Sequence, residues 1–433
     1  MRINNSPHYP EYCQIEKGNK YRLFTRCIFV RKRIFSPFLG PFSAPMTDFF
    51  LFLFWISSGI LLYTYLVYFL IAITLAKVSA RKAPETSETA DWPAVTLVIA
   101  AYNEERFIAE KLQNSLTLDY PSERLSIFVV TDGSSDNTMN IVATFDRVQH
   151  FHEPERKGKI HAVDRIMKFI KTPVVVFTDA NTLLNTAAIK NIVRHYEDEK
   201  VGGVAGEKRV ISQEADSASG AGEGLYWKYE SLLKKADSDL HTVVGAAGEL
   251  FSIRTNLYKS PPPDTIIEDF YLSMKIVAQG YRFVYEPDGY AMEGPSATTE
   301  DEWKRKVRIS AGGLQAIARL TNLLNPLRHG VTSFQYISHR VLRWTLAPLS
   351  LVVILISNAF LFSYGLFFEL TLYAQLAFYL LALLGHAFRN KKIPIKGFFV
   401  PYYFTLMNLS VFFGLFRVLK GKQSVVWEKA ERA

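Results

Sequence analysis

Three short segments place acidic or amide side chains directly after apolar runs of the sequence. They read YNEE at 102–105, TDGSSDNT at 131–138 and TDANT at 178–182. Carboxylate and amide oxygens accept hydrogen bonds from bases and ribose hydroxyls, and they are also ligands for hard divalent cations. The three segments therefore indicate chemistry on a nucleotide, with a cation at one of them.

Two of these segments indicate different roles. Asp132 is followed by Gly133, which suits base or ribose recognition because glycine lets a ligand approach the backbone. Asp179 follows the run 174–178 and is separated from Asn181 by Ala180, so this pair offers oxygen ligands to Mg²⁺ or Mn²⁺ that bridges to a diphosphate. Each segment alone would also be explained by side chains that cap the helix following the strand. Only their joint occurrence favours binding.

A sheet is needed to bring these strand ends together. Predicted strands cover 95–101, 125–131, 174–178, 202–211, 243–253 and 282–286, and predicted helices cover 104–117, 136–147, 159–171, 185–198, 223–238, 268–279 and 299–324. The β-branched runs are apolar on both faces, which is typical of parallel strands covered by helices. The pattern predicts an α/β sheet that binds ligands beyond the carboxyl ends of its strands.

Long apolar segments flank this region. Residues 49–76 carry no charge and exceed the roughly 20 residues that cross a bilayer. Lys77, Arg81 and Lys82 follow, so the positive-inside rule predicts that the next part of the chain is cytoplasmic. Further apolar segments cover 343–363, 366–387 and 398–418. Basic residues on both sides of the last one leave a span or a re-entrant segment open, and we favour a span.

The formal net charge of +9 is concentrated at the N-terminus. The first 45 residues contain eight basic and two acidic residues, and they also contain both cysteines, Cys13 and Cys27. We interpret this tail as a segment outside the native chain, which would begin at Met46. The rest of the chain is only mildly basic, so nucleic-acid binding is not expected, and it has no cysteine for catalysis or metal binding.

The segments together resemble membrane-bound family 2 glycosyltransferases of the GT-A fold, the branch of cellulose, hyaluronan and poly-N-acetylglucosamine synthases. The resemblance covers about residues 92–320. It implies an α/β, Rossmann-like nucleotide-sugar-binding domain with transmembrane helices. The implied organisation is a basic tail at 1–45, a transmembrane helix at 46–78, a cytosolic catalytic domain at 92–300, interfacial helices at 301–340, two or three transmembrane helices at 341–419 and a basic tail at 420–433.

The resemblance also implies roles for the donor side. Tyr102 and Glu104 would line the nucleotide pocket, and Asp132 matches the uracil-binding aspartate. In the following RKGKIHAVD loop, Lys159 or Lys157 would meet phosphate or the carboxylate that bears the metal.

The metal motif of the family is Asp-x-Asp. Asp179 keeps its first position, as a nucleotide-sugar and metal ligand, and Asn181 replaces the second. An amide oxygen can still bind a hard cation, though more weakly. The resemblance therefore implies an Mg²⁺ or Mn²⁺ site with lowered affinity.

On the acceptor side, Asp269 in the segment IIEDFYLSMK matches the general base that takes a proton from the acceptor hydroxyl, with Glu268 beside it. These two carboxylates also fit the positive end of the helix that they open. The family's Gln-x-x-Arg-Trp motif is expected within residues 301–315. There Arg305 and Arg308 would bind the diphosphate, although Ile309 stands in place of the tryptophan, and the same basic residues would suit an interfacial helix on anionic lipid.

The implied activity is inverting transfer of a sugar from a nucleotide-sugar, expected to be UDP-linked, to a growing surface polysaccharide. Expected partners are a glycan or lipid-linked glycan acceptor, the lipid bilayer and other envelope polysaccharide export proteins, at the inner or plasma membrane. A single transfer to a polyprenyl-linked acceptor is the alternative. A catalytically silent sugar-binding scaffold is a third hypothesis, supported by Asn181 alone.

Overall fold

A computed structural model of the chain describes residues 44–79, 91–210, 218–294, 298–388 and 396–421. Nearly all of the basic N-terminal tail, the basic loop after residue 388 and most of the C-terminal tail lie outside these described residues. The chain separates into two compact units, Met1–Phe50 and Leu51–Ala433. The first is described only from residue 44, as the start of a helix, so the contacts given below all lie within the second.

The described residues of the second unit include an eight-stranded sheet. Its strands are β1 (Val95–Ala101), β2 (Leu125–Asp132), β3 (Val148–Glu153), β4 (Val174–Asp179), β5 (Leu183–Leu184), β6 (Val201–Val210), β7 (Leu250–Arg254) and β8 (Arg282–Glu293). Their order across the sheet is β3-β2-β1-β4-β7-β6-β8-β5. The mixed sheet confirms the predicted α/β class.

The described helices lie before, between and after these strands. They are α1 (Ala44–Leu62), α2 (Tyr68–Ser79), α3 (Ile108–Leu116), α4 (Thr138–Val142), α5 (Lys159–Met167), α6 (Ala188–Val193), α7 (Ala218–Leu240), α8 (Glu268–Val277), α9 (Thr299–Arg319), α10 (Pro326–His329), α11 (Val331–Tyr336), α12 (Leu342–Trp344), α13 (Leu346–Leu361), α14 (Leu366–Ala387) and α15 (Lys396–Leu419). Shorter π-helical turns at Tyr63–Val67 and Ile337–Val341 join α1 to α2 and α11 to α12, and 3₁₀ turns lie at Arg194–Glu197, Thr255–Leu257, Thr321–Leu324 and Phe362–Tyr364.

The centre of the sheet is buried on both faces. Along β1, Leu97 and Ile99 belong to one hydrophobic cluster, while Val98 belongs to another on the opposite face. Successive side chains of a strand point to opposite faces, so a strand with helices on both sides must be apolar throughout. This rigid centre fixes the carboxyl ends of β1, β2 and β4 at one edge.

The sheet is not parallel throughout, contrary to the expectation from its apolar runs. β1 pairs in parallel with β2 and β4, but β7 runs antiparallel to β4 and β6. Leu250 therefore pairs with Thr178 at the carboxyl end of β4. As a consequence, the loop that precedes β7 lies beside Asp179.

Two predictions of local structure are wrong, and one strand was missed. The strand predicted over 243–253 begins only at Leu250, because Gly245 adopts a φ of 89° and a side chain there would meet the Phe270 ring at 2.2 Å. The helix predicted over 136–147 is limited to Thr138–Val142. The strand Val148–Glu153 was not predicted, because this edge strand has polar, partly exposed side chains and lacks the apolar run of a buried strand.

Four helices among the described residues are long and apolar enough to cross a membrane. They cover Pro45–Ser79, Leu346–Tyr364, Leu366–Ala387 and Phe398–Leu419. The last packs closely on α9: Ser310 and Ser410 are hydrogen bonded at 2.9 Å, and a Cβ on Gly414 would lie 2.7 Å from the backbone nitrogen of Ala311. An apolar helix thus forms part of the wall around the region described next.

Candidate functional site

Four charged side chains meet at the carboxyl end of β4. The Nζ of Lys159 donates to Oδ1 of Asp179 at 2.8 Å and lies 3.2 Å from Oε1 of Glu268. Asp269 completes the cluster, which we call the catalytic cluster for the role proposed below. Its members come from the start of α5, the end of β4 and the start of α8, so three elements distant in sequence converge on one point.

Gly248, in the loop before β7, marks the centre of the catalytic cluster. A Cβ built on this residue would lie 3.3 Å from Oδ2 of Asp269, 3.4 Å from Nζ of Lys159 and 3.8 Å from Oδ2 of Asp179. The absence of a side chain leaves this space open. A single ligand above Gly248 can therefore touch all three groups.

The two neighbouring carboxylates differ in their pKa. Burial and the adjacent Glu268 charge raise the pKa of Asp269 to about 7, and Lys159 offsets this only in part. Burial alone would raise the pKa of Glu268 too, but Lys159 and Arg308 hold it below its usual range. Glu268 therefore stays charged near neutral pH, while Asp269 can exchange a proton there. Two carboxyl groups with separated pKa values are typical of acid–base sites.

Lys159 remains a cation in this setting. Burial alone would lower its pKa, but the carboxylates of Asp179 and Glu268 raise it above its usual range. Its ammonium group thus supplies a permanent positive charge between the end of β4 and α8.

Asp269 also contacts the helix that it opens. Its Oδ1 accepts a hydrogen bond from the backbone N–H of Phe270 at 2.8 Å, while its Oδ2 faces Gly248. The helix-end interpretation and the catalytic one are therefore compatible, because each uses a different oxygen.

The turn that carries Asp179 and Asn181 is supported from behind by Lys111. The Nζ of this fully buried lysine donates to Oγ1 of Thr178 at 2.9 Å and to Oγ1 of Thr182 at 3.3 Å. Burial lowers the pKa of Lys111 to about 7, and Asp179 opposes the shift.

The carboxyl ends of β1, β2 and β4 lie side by side in the sheet, and we call them the donor edge for the role proposed below. Asp179 belongs both to this edge and to the catalytic cluster. Asp132 accepts hydrogen bonds from the backbone N–H groups of Lys157 at 3.1 Å and Gly158 at 2.6 Å. The guanidinium of Arg156 lies 3.6 Å from the centre of the Tyr102 ring. The loop 154–158 thus joins the donor edge directly to Lys159.

Asp136, and not Asp132, accepts a side-chain hydrogen bond at the start of α4. Asp136 accepts from the backbone N–H of Thr138 at 3.0 Å, and the hydroxyl of Thr138 accepts from the backbone N–H of Glu104 at 2.8 Å. Asp132 is therefore not used as the cap. The residue before it, Thr131, has its Oγ1 2.9 Å from ring nitrogens of both His150 and His152.

A cavity of about 1220 Å³ opens from the catalytic cluster towards the apolar helices. Lys159, Asp179, Glu268 and Asp269 line its polar end, and Val400, Phe404, Met407 and Val411 of α15 line its far wall. Tyr102, Glu104, Asp132 and Asn181 do not line it. The sequence-predicted site is thus divided between this cavity and the adjoining donor edge.

Arg305 and Arg308 both line the cavity from α9. Arg305 is committed to its own helix, because its Nε donates to Glu302 at 2.9 Å and an Nη at 3.1 Å. Arg308 lies near enough to Glu268 to lower the pKa of that carboxyl group.

A second arginine pair also lines the cavity and was missed from the sequence. It consists of Arg340 and Arg343, and Trp344 follows with its ring 5.2 Å from that of Phe270, next to Asp269. The signal was present: the run Arg-Val-Leu-Arg-Trp at 340–344 differs from Gln-x-x-Arg-Trp at its first position. The motif is expected from the sequence within residues 301–315, which precede this run, so Arg340 and Arg343 were not predicted as site residues.

The residues at the end of β4 fit a cation that arrives with a diphosphate. In the described part of the chain, no three His, Cys, Asp or Glu side chains converge into a ligand cage. Mg²⁺ is commonly held by one or two carboxylates while substrate phosphates and water complete its shell. Asp179, with an amide side chain two residues further on, offers that incomplete set.

The model of the family described as "Glycosyltransferase like family 2" matches residues 93–312, which include the donor edge, the catalytic cluster and most of α9. The chain belongs to glycosyltransferase family 2. This confirms the family inferred from the strand-end motifs.

Curated proteins similar to this chain include poly-beta-1,6-N-acetyl-D-glucosamine synthases. The chain is 29% identical over 236 residues to poly-beta-1,6-N-acetyl-D-glucosamine synthase of Staphylococcus aureus, covering 52% of this chain and 56% of the relative. The synthase of the same name from Staphylococcus epidermidis is 26% identical over 247 residues, covering 54% and 58%. The chain thus spans about half the length of the curated relatives it matches.

Among solved structures, this family 2 chain is similar to the mannosyltransferase PcManGT from Pyrobaculum calidifontis in complex with GDP-Man and Mn²⁺. The TM-score is 0.66 at 22% identity, covering 87% of this chain and 99% of that one. The likeness shows the fold, and the predicted GT-A architecture with apolar helices is confirmed.

Proposed function

We propose that the protein is an inverting glycosyltransferase that moves a sugar from a nucleotide-sugar, with UDP as the expected nucleotide, to a surface polysaccharide growing at the membrane. The observation that carries this proposal is the catalytic cluster. The carboxyl group of Asp269, with a pKa of about 7, lies across Gly248 from the ammonium group of Lys159, which is bound to Asp179. A base for the acceptor and a positive charge for the leaving group are thus within reach of one ligand.

In the proposed reaction, Oδ2 of Asp269 accepts the proton of the acceptor hydroxyl while that hydroxyl oxygen bonds to C1 of the donor sugar. The bond from C1 to the diphosphate oxygen breaks, and the electron pair leaves with the nucleoside diphosphate. Attack opposite the leaving group inverts the configuration at C1. Lys159 stabilises the charge that develops on the diphosphate.

Asp179 and Asn181 are the residues that would hold Mg²⁺ or Mn²⁺. When bound, the cation supplies further positive charge to the diphosphate. Asp132 and Tyr102 would bind the base and ribose at the donor edge, with Glu104 beside them. Arg308 and Glu268 would face the acceptor and diphosphate from the cavity, with Arg305 held beside them by Glu302.

The orientation in the membrane is also a proposal. Lys77 lies at the end of the first apolar helix, and Arg81 and Lys82 follow it in sequence, so the positive-inside rule favours a multi-pass protein with the sheet in the cytoplasm. Protease added to sealed inverted vesicles should cleave the sheet region, whereas protection in inverted vesicles would contradict this orientation.

Product length separates two acceptor classes. The relationship to polysaccharide synthases favours repeated transfer, whereas the apolar wall of α15 along the cavity would also accommodate a polyprenyl-linked acceptor for a single transfer. Purified protein should be incubated with a panel of UDP- and GDP-sugars, Mn²⁺ and either a short glycan or a polyprenyl phosphate. A ladder of products supports polymer synthesis, and one addition to the lipid supports the alternative.

A further inference from the structure

A group of buried ionisable residues extends from the cavity wall, where Glu230 itself lines the cavity. It consists of Glu230 and Asp237 on α7, His339 in the π-helical turn before α12, and Tyr68 on α2. We call these four residues the Glu230 relay. Asp237, His339 and Tyr68 are fully buried, and Glu230 is 2% exposed. Buried charges are costly to hold without partners, so the contacts of the relay require an explanation.

Glu230 binds three basic side chains. Its carboxylate accepts from an Nη of Arg340 at 2.6 Å and from an Nη of Arg343 at 2.9 Å, and its Oε1 lies 3.2 Å from Nε2 of His339. Burial alone would raise the pKa of Glu230, but Arg340, His339 and Arg343 hold it well below its usual range. The carboxylate therefore remains charged and anchors both arginines.

The relay continues away from the cavity to the first apolar helix. Nδ1 of His339 lies 2.6 Å from Oδ2 of Asp237, whose Oδ1 accepts from the Tyr68 hydroxyl at 2.5 Å. The side-chain amide of Gln335 donates to the backbone oxygen of Asp237 at 2.8 Å. Each ring nitrogen of His339 thus faces a carboxylate.

The two arginines keep capacity for an anion on the cavity side. Arg340 and Arg343 line the same cavity as Lys159 and Asp179. Arg343 is 8% exposed, and its Nε has no hydrogen-bond acceptor within the part of the chain that the structure describes. One Glu230 carboxylate shared by two guanidinium groups also leaves an excess of positive charge.

Backbone geometry supports a specialised role. His339 and Arg340 lie in the π-helical turn Ile337–Val341, and Tyr65, which also lines the cavity, lies in the π-helical turn Tyr63–Val67. Such turns are rare and frequently occur at functional sites.

We infer that Glu230 is a positioning residue that holds Arg340 and Arg343 against the diphosphate of the donor. His339 and Asp237 fix its carboxylate from behind. This inference rests on the proposed function, because it assumes a diphosphate in the cavity. The inference also gives the first apolar helix a part in donor binding, because its Tyr68 hydroxyl binds Asp237.

The test compares binding of UDP and UMP to purified full-length protein by calorimetry in the presence of Mn²⁺. Glu230→Gln should weaken UDP binding roughly tenfold, because the arginines lose the anion that aligns them. UMP binding should change less than about twofold, since UMP lacks the second phosphate. A purely structural role would weaken both nucleotides alike.

Asp239→Asn is the matched control. Asp239 lies on the same helix, and its carboxylate binds Lys235 at 2.5 Å instead of the relay, so UDP affinity should stay at the wild-type value. Tyr68→Phe removes a single hydroxyl from the far end of the relay and should weaken UDP binding about threefold with an unchanged melting temperature. This milder variant tests the inference even if Glu230→Gln fails to fold.

Arg343→Gln separates the two claims. If UDP binding falls in Arg343→Gln but is unchanged in Glu230→Gln and Tyr68→Phe, the relay inference is overturned and the proposed function stands. If UDP binds wild type and Arg343→Gln equally, the diphosphate does not contact this arginine and the inference fails with that assignment. If wild-type protein binds no UDP, the proposed donor itself is wrong.

Discussion

The donor edge and the cavity wall are built in different ways. At the donor edge, Asp132 and Asp179 stand at the ends of buried strands, each within one short segment of sequence. In the cavity wall, Arg343 is held by Glu230, which is 113 positions away in sequence. The donor edge thus depends on local strand geometry, whereas the wall depends on buried charge pairs between helices that are distant in sequence. Substitutions in each region should therefore fail differently.

The largest effect within the donor edge is expected for Asp179→Ala. The variant removes the carboxylate that binds Lys159 and that would bear the cation, so charge stabilisation of the leaving diphosphate is lost. Turnover should fall about 10²- to 10³-fold, measured as release of nucleoside diphosphate. Asp119→Ala, at an exposed carboxylate paired with Lys190, should remain active. Equal turnover of the two variants would remove Asp179 from the site.

Gly248→Ala tests the point where the two regions meet. The added methyl group would lie 3.3 Å from Oδ2 of Asp269 and 3.4 Å from Nζ of Lys159, so it should shift the Asp269 carboxylate slightly and occupy the space left for a ligand, without unfolding the protein. We expect kcat to fall roughly 10- to 100-fold, because small misplacements of reacting groups are costly. Gly59→Ala is the control, since a Cβ there meets nothing within 4 Å. A wild-type kcat in Gly248→Ala would contradict the proposal that Asp269, Lys159 and the ligand meet above this residue.

Asn181→Asp should strengthen the donor edge. A second carboxylate at this position adds negative charge for a hard cation, so the Mn²⁺ concentration needed for half-maximal activity should fall roughly tenfold. Manganese titration of the sugar-transfer rate measures this change, with Asn185→Asp at the next turn as control. An unchanged or weakened requirement would mean that residue 181 does not reach the cation.

A smaller effect is expected on pH dependence. Asp269 has a pKa of about 7, and a base acts only when deprotonated, so kcat/KM should fall as the pH drops below 7 and level off above it. Glu268→Gln removes a like charge that raises the pKa of Asp269, while Lys159 still lowers that pKa. The acidic limb of the profile should therefore move to lower pH. Movement to higher pH, or the same shift in Asp264→Asn, would contradict the assignment.

The sequence predicted the donor edge because its signals are local. A β-branched run followed by a carboxylate places that carboxylate at a strand end, and parallel pairing of β1, β2 and β4 brings the ends together. The segment before β7 was mispredicted as strand because its valines suit one, whereas packing of Phe270 against Gly245 imposes a loop. That loop is what carries Gly248 to Asp179.

The cavity wall could not be predicted from the sequence in the same way. Glu230 and His339 lie on different helices, and the apolar pattern of a helix does not predict which charged residues it will contact. The two side chains pair only when those helices pack together. Arg343 and Trp344 carried a recognisable motif, but their distance in sequence from Asp269 hid the connection. Residues whose role depends on tertiary contact are therefore the ones that required the structure.

The central claim is that Asp269 is the base of a sugar transfer. The most direct measurement is the rate of sugar transfer by purified full-length protein, with the best donor from the panel and Mn²⁺, compared between wild type, Asp269→Asn and Asp264→Asn. Asp264 is an exposed carboxylate of the preceding loop that pairs with Arg319. We predict a loss of about 10²- to 10⁴-fold in Asp269→Asn alone, with donor binding retained. Transfer at the wild-type rate by Asp269→Asn would contradict the account.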